Sequence, residues 1–179
     1  MPRYAVFLRA INVGAHTVKM DRLSRLFEEM GFSNVATFIA SGNVIFDSES
    51  KKPDMIESKI EKHLKSSLGY DVAVFVRSIP ELGEIASCDP FINKEAKSPA
   101  GTLYIAFLKA EPGKSAKSKL ESIKSDTDLL RFRGREIFWL CKTRMMESSF
   151  SGALLEKMTR MPTTIRNSST IKKIVAKYS

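Results

Sequence analysis

Five apolar residues in a row, Tyr4 to Leu8, open the pattern of the chain and predict a buried strand. A polar, Gly-containing stretch follows, Arg9 to Lys19, and reads as a loop. Met20, Leu23, Leu26, Phe27 and Met30 then draw one apolar stripe, so a helix runs to Gly31, where a helix C-terminus favours a left-handed residue. Residues 35–40 are rich in β-formers, Ser41-Gly42-Asn43 interrupts them, and Val44-Ile45-Phe46 resumes. The reading is a hairpin, with a single strand bulged at Gly42 as the alternative. Pro53 suits the first position of a helix, and Ile56, Ile60, Leu64 and Leu68 recur every fourth residue up to Gly69. Residues 72–76 predict another strand. The order βαββαβ is that of the ferredoxin-like split βαβ unit, an antiparallel sheet with two helices on one face.

The second half repeats this less cleanly. A short helix is expected over Pro80–Ser87, a linker or loop over 94–101, a strand over Leu103–Leu108, and a weakly amphipathic helix within 113–125. Leu129-Leu130 and Ile137–Cys141 flank a hairpin whose basic tip would be 131–136. Two helical patterns close the chain, one on Leu154, Leu155, Met158 and Met161, the other on Ile171, Ile174, Val175 and Tyr178. The order βαββα(α) points to architectural duplication without a visible residue-level repeat. The expected fold class is α+β: two ferredoxin-like (βαββαβ-type) halves with antiparallel sheets, packed into one compact unit. The halves are set at 1–79 and 80–179, the second carrying an extra C-terminal helix.

Composition narrows the class. The 179 residues are 43% hydrophobic, enough for a core without staples. No apolar run approaches the roughly 18 residues a membrane span needs, and Arg9 closes the first run too early for a signal peptide, so a cytoplasmic protein with no membrane partner is expected. Cys88 and Cys141 form no CxxC pair and read as reduced, buried thiols rather than one disulfide. His16 and His63 stand far apart with no Cys or His beside them, which argues against a structural metal. No cofactor is expected. Net charge is +9, and residues 142–179 hold eight Lys/Arg against two acids. That balance favours an anionic partner, from a phosphorylated metabolite to nucleic acid. Oligomeric state is not legible.

The common catalytic signatures are missing: no GxSxG, GxGxxG, GxxxxGK[ST] or HExxH. His63 falls beside an apolar stripe and reads as structural; His16, in the first loop, is a weak acid–base candidate. Three polar segments carry the remaining chemistry. Arg9-Ala10-Ile11-Asn12-Val13-Gly14 leaves the first strand, Ser41-Gly42-Asn43 makes a turn, and Thr163 to Thr170 opens the last helix, with Ser169 or Thr170 as its cap. Helix amides beside an arginine suit phosphate or carboxylate. Each segment taken singly also fits an ordinary turn or cap.

Together these segments resemble a known family. Phe7 to Gly14, Lys19-Met20, Gly31-Phe32, Ser41-Gly42-Asn43-Val44 and the ending Thr164-Ile165-Arg166-Asn167 with Thr170 are similar to the motifs of the bacterial family catalogued as domain of unknown function DUF1697. Ala10 and Ala15 stand where glycines are expected, and Ser168 where an aromatic is expected. The resemblance implies two ferredoxin-like halves and no particular function. It suggests that Arg9, Asn12, Lys19, Ser41, Asn43, Arg166 and Asn167 act together. They would bind a small anionic ligand in a cleft, or else Arg9 and Arg166 would pair with buried carbonyls or acids and tie the halves together. RNA binding is the alternative function, carried by Arg131, Arg133, Arg135 and the C-terminal lysines, although Asn43-Val44-Ile45-Phe46-Asp47 lacks an RNP1 pattern. A structural or partner-binding protein is the third.

Overall fold

The computed structural model describes all residues except Ala10, Val13, Ala15, Ala40, Ser41, Asp89, residues 92–100 and Lys124. The loop expected over 94–101 therefore falls outside the described residues, Gly101 excepted. The first half runs β1 (Arg3–Leu8), α1 (Met20–Glu29), β2 (Ser33–Thr37), β3 (Asn43–Asp47), α2 (Pro53–Leu68), β4 (Val74–Ser78) and α3 (Ile79–Ser87). The second runs β5 (Thr102–Leu108), α4 (Lys114–Glu121), β6 (Asp128–Arg133), β7 (Glu136–Cys141), a 3-10 turn (Met145–Glu147), α5 (Gly152–Thr159), β8 (Thr163–Asn167) and α6 (Ser168–Tyr178). Each half has one four-stranded antiparallel sheet, ordered β2-β3-β1-β4 in the first and β6-β7-β5-β8 in the second. The chain forms two compact units, Met1–Ile85 with Ile174–Ser179, and Ala86–Lys173. Among the described residues no helix is long and apolar enough to cross a membrane.

Strand alternation builds both cores. In the first half Tyr4, Val6, Leu8, Val44, Phe46, Val74 and Val76 share one sheet face. They pack with Leu23 and Phe27 of α1 and Ile56, Ile60 and Leu64 of α2. In the second half Ala106, Leu108, Ile137, Trp139 and Cys141 pack with Leu120 of α4, with Phe150 ahead of α5, and with Leu155 of α5. The sheet positions in between, Ala5, Phe7, Ile45, Phe75 and Arg77, then Ile105, Phe107 and Phe138, are buried as well. Both cysteines are free; Cys141 is buried and Cys88 half-buried.

Register exposes a repeat that the bare sequence hides. Tyr4 pairs with Ser78 and Phe46, and Tyr104 pairs with Asn167 and Trp139. Tyr4, Phe7 and Leu8 thus correspond to Tyr104, Phe107 and Leu108. Leu8 N–H donates to the Gly42 carbonyl at 2.8 Å, and Leu108 N–H to the Arg135 carbonyl at 2.9 Å. The absence of a residue-level repeat is therefore corrected. Connections of unequal length shift the two halves out of phase at any single period.

Three further expectations change. Thr163–Asn167 is a strand, β8, and not the approach to a helix. Its pairing with β5 and the Thr163 Oγ1 bond to the Phe107 carbonyl at 3.0 Å outweigh the local capping tendency of Ser and Thr. The last helix is capped by Asn167, whose Oδ1 accepts from Ser169 N–H at 2.9 Å, not by Ser169 or Thr170. Arg131 and Arg133 lie within β6, paired with Phe138 and Glu136, so the hairpin tip shrinks to the turn at Gly134-Arg135.

Candidate functional site

The fourth strand of each half carries an arginine as its penultimate residue, and its last residue caps the helix that follows. Ala5 faces Arg77, and Ile105 faces Arg166, so the two arginines occupy corresponding places. In each, Nη1–H donates to the preceding carbonyl, Val76 at 2.8 Å and Ile165 at 2.9 Å. Arg77 is fully buried and flanked by carboxylates. Glu81 Oε1 lies 3.5 Å from its Nε, and Glu57 Oε1 lies 4.0 Å from its Nη1. Glu57 also accepts from Val76 N–H at 2.8 Å. Glu81 and Ser78 form a reciprocal capping box at the start of α3, each bond 3.3 Å long.

The second half keeps the arginine and changes its surroundings. Glu61 accepts from Val74 N–H as Glu156 accepts from Thr163 N–H, which matches α5 to α2. One helical turn earlier, Gly152 stands where the first half has Glu57. Four residues after the arginine, Thr170 stands where the first half has Glu81. Arg166 donates instead to Thr164 Oγ1 at 2.7 Å. Burial alone lowers the Arg166 guanidinium to about 10, the direction expected when a cation is moved out of water. It sits two residues before the first helical turn of α6, whose hydroxyl side chains are Ser168, Ser169 and Thr170.

The other suggested site residues fall in the first half. Leu8 N–H bonded to Gly42 carbonyl brings the β1–α1 loop and the β2–β3 turn to one end of the sheet. A Cβ at Gly42 would stand 3.2 Å from Leu8 Cβ and from Leu8 O, and the φ of +72 is itself unfavourable for a side chain, so glycine suits this approach. Asn43 is buried at the start of β3, and its Nδ2 donates to the Phe38 carbonyl at 2.9 Å, closing the hairpin. Asn12 has φ +58 and holds the loop shut: its N–H donates to His16 carbonyl at 2.8 Å, and its Oδ1 accepts from Val18 N–H at 2.8 Å. Both asparagines therefore serve the backbone. Arg9 and Lys19 are exposed cations at the two ends of the loop, Lys19 as the N-cap residue of α1. Ser41 lies outside the described residues. The structure thus groups Arg9, Asn12, Lys19 and Asn43 in one half, and Arg166 and Asn167 in the other.

Sequence reading passed over Arg77 with its two glutamates. The signal was available: Arg77-Ser78-x-x-Glu81 has the spacing of Arg166-Asn167-x-x-Thr170. It also passed over Asp128, a buried carboxylate that accepts from Trp139 Nε1 and Ser148 Oγ at 2.7 Å, Thr127 Oγ1 at 2.8 Å and Ser125 Oγ at 2.9 Å. Burial pushes this carboxyl up, yet the four donors outweigh burial and hold it below its ordinary range. With every lone pair engaged, Asp128 is a structural anchor. His63 is likewise occupied, beside Glu29 at 3.2 Å.

The chain belongs to the family described as "Protein of unknown function (DUF1697)", whose model matches residues 1–138. The closing segment around Arg166 lies beyond that match. The chain is also similar in structure to the conserved bacterial protein SP0830 from Streptococcus pneumoniae, with TM-score 0.70 and 24% identity over 99% of this chain and 98% of that one. This likeness bears on the fold alone. No curated protein matches the sequence.

Proposed function

We propose, with membership of that family as the premise, that the protein binds a small phosphate- or carboxylate-bearing ligand, with Arg166 as its principal contact. The single observation that carries this reading is a guanidinium held largely out of water at the head of a helix: burial brings Arg166 to about 10, and it donates to Thr164 Oγ1 two residues before a first turn that carries Ser168, Ser169 and Thr170. A planar guanidinium at the head of a helix matches the geometry and charge of an oxyanion. Arg9 and Lys19 add positive field in the other half. RNA binding has weaker support. Phe7, Phe46, Phe107, Phe138 and Trp139 on the central strands are buried and unavailable for stacking.

The test is a thermal-shift panel of nucleotides, sugar phosphates, carboxylates and a short single-stranded RNA on wild type and Thr170→Glu. A glutamate at 170 would reproduce the place of Glu81 and set a carboxylate four residues after Arg166, to compete with an added anion. A ligand at 100 times its dissociation constant adds about 2.7 kcal/mol of stability. The expected outcome is a response in wild type that Thr170→Glu abolishes while its own melting temperature holds or rises. A full response in Thr170→Glu refutes the assignment to Arg166.

A further inference from the structure

Helix α3 keeps a glycine at its centre that nothing in the fold requires. Gly83 stands midway along Ile79–Ser87, where a helix disfavours glycine. Its backbone is not left-handed, and a Cβ there would meet only Val175 Cγ1, at 4.0 Å. The second half shows that the plan does not call for it. Counted from Arg77 and Arg166, Leu82 matches Ile171 and Ile85 matches Ile174, all four buried, and Gly83 matches Lys172. What the missing side chain leaves is open space.

That space belongs to a cavity of about 440 Å³, lined wholly by residues of the first unit. Ile79, Pro80 and Gly83 of α3 and Tyr178 at the end of α6 give it mostly apolar walls, and Arg3 of β1 and Asp47 of β3 supply a polar edge. Arg3 Nε donates to Asp47 Oδ1 at 2.8 Å and Nη2 to Oδ2 at 3.1 Å, and Asn34 Nδ2 donates to Oδ2 at 2.8 Å. The carboxylate thus has three donors and balances the charge of the arginine. The Arg3 side chain is 41% exposed, against 10% for Asp47, and its Nη1 has no hydrogen-bond partner among the described residues. An apolar chamber of this size with one placed polar group is the usual form of a small-molecule site.

We infer that this cavity binds a small uncharged molecule, a ring or short chain that carries one carbonyl oxygen. Its apolar body would lie against Ile79, Pro80 and Tyr178, over the bare backbone of Gly83, and its carbonyl would accept from Arg3 Nη1. The Arg3–Asp47 pair is neutral as a unit, so this site differs in chemistry from the oxyanion contact at Arg166 and stands whether or not that contact holds. A carboxylate would gain little from an arginine already paired and would be repelled by Asp47 on the cavity wall.

The experiment records proton–nitrogen correlation spectra of the full chain while acetanilide, acetophenone or cyclohexanone is added, with benzoate as the charged control. The expected result is a saturable shift of the residue-83 amide and of the Arg3 Nε–H with at least one neutral probe, and binding of benzoate about tenfold weaker. Gly83→Ala should melt roughly 2–4 °C higher than wild type, because the helix gains a better former and meets no obstacle. Gly83→Leu should melt no lower than wild type and lose the response, because its side chain takes up the cavity. Arg3→Lys can still pair with Asp47 but lacks the planar edge, and should weaken binding about tenfold. The inference is overturned if none of the three neutral probes moves residue 83, if Gly83→Leu responds as wild type does, or if benzoate binds as tightly as the neutral probes. A lower melting temperature for Gly83→Ala would overturn it equally, since the glycine would then serve the fold.

Discussion

The first half sets its buried arginine between two of its own carboxylates, and the second half has Gly152 and Thr170 at the corresponding positions. Arg77 lies between Glu57 and Glu81, and Glu81 is locked in turn by the capping box with Ser78. Arg166 keeps the strand position and the bond to the preceding carbonyl, and adds one to Thr164 Oγ1. Two copies of one βαββαβ plan thus hold the same cation in different chemical settings. One setting is complete as a structural device. The other holds its arginine by the Thr164 hydroxyl and the Ile165 carbonyl.

The strongest way to break this comparison is to remove each arginine in turn. Arg77→Met would leave Glu57 buried opposite an apolar side chain. Breaking a buried pair from one side costs about 3–5 kcal/mol. Arg166→Met removes a desolvated cation and should cost clearly less, by urea or thermal unfolding. Equal losses would mean that both arginines serve the fold alike.

A second probe compares the two hairpin turns. Gly42 has φ +72 and sits against Leu8, whereas Gly134 has φ +54 with only Glu136 Oε2 near its missing Cβ, at 3.8 Å. Gly134→Ala bears the left-handed backbone cost alone, about 1 kcal/mol. Gly42→Ala adds a clash between the turn and the end of β1, and about 2–3 kcal/mol is expected. Matching values by chemical denaturation would show that the first-half turn is not pinned to β1 as drawn.

Much of this plan was legible beforehand, and the failures share a cause. Residues 53–68 show a clean four-residue period that only a helix satisfies, and α2 occupies those residues. The strand β8 reads as polar because Thr163 and Thr164 are buried by the sheet and not by their own hydrophobicity. The β6 segment carries Arg131 and Arg133 on alternate positions around Phe132, a strand pattern hidden by its charge. In both places long-range pairing decides what local composition leaves open. Among the site residues, Arg166 and Asn167 were visible as motif members. The backbone-holding roles of Asn12 and Asn43 were not, because they depend on Val18 and Phe38, partners chosen by the loop's three-dimensional path.

Acid unfolding gives a smaller and graded contrast. Asp47 in the first half and Asp128 in the second are both held below the ordinary carboxyl value. The hydrogen bond from Arg3 is the main cause at Asp47, opposed by burial and aided by Asn34; at Asp128 four donors overcome burial. A lowered folded value means that the stabilisation is complete above the unfolded value and is lost as pH falls through the folded one. Trp139→Phe removes one donor from Asp128 and should cost about 1–3 kcal/mol at neutral pH. Its acid-unfolding midpoint should move to higher pH. Asp128→Asn should start less stable and vary less with pH below 4. A midpoint unmoved by Trp139→Phe would show that the indole does not hold the carboxylate.

The smallest effect concerns helix starts and bears on Lys19. Ser151 Oγ accepts from Leu154 N–H at 3.2 Å and caps α5, whereas Lys19 at the head of α1 provides no side-chain cap. Ser151→Ala should cost about 1 kcal/mol, a fall of roughly 2–4 °C for a chain of this length. Lys19→Asp should raise the melting temperature by a similar amount, since an aspartate can accept from the first-turn amides and its charge suits the positive end of the helix. The same variant separates two roles for this residue. If Lys19 contributes only general positive field, the anion-induced shift in Lys19→Asp shrinks slightly and recovers in salt, as screened long-range charge must. If Lys19 touches the ligand, the shift is lost at every salt concentration while the protein itself becomes more stable. That outcome would move the centre of the anion site from the second half to the first.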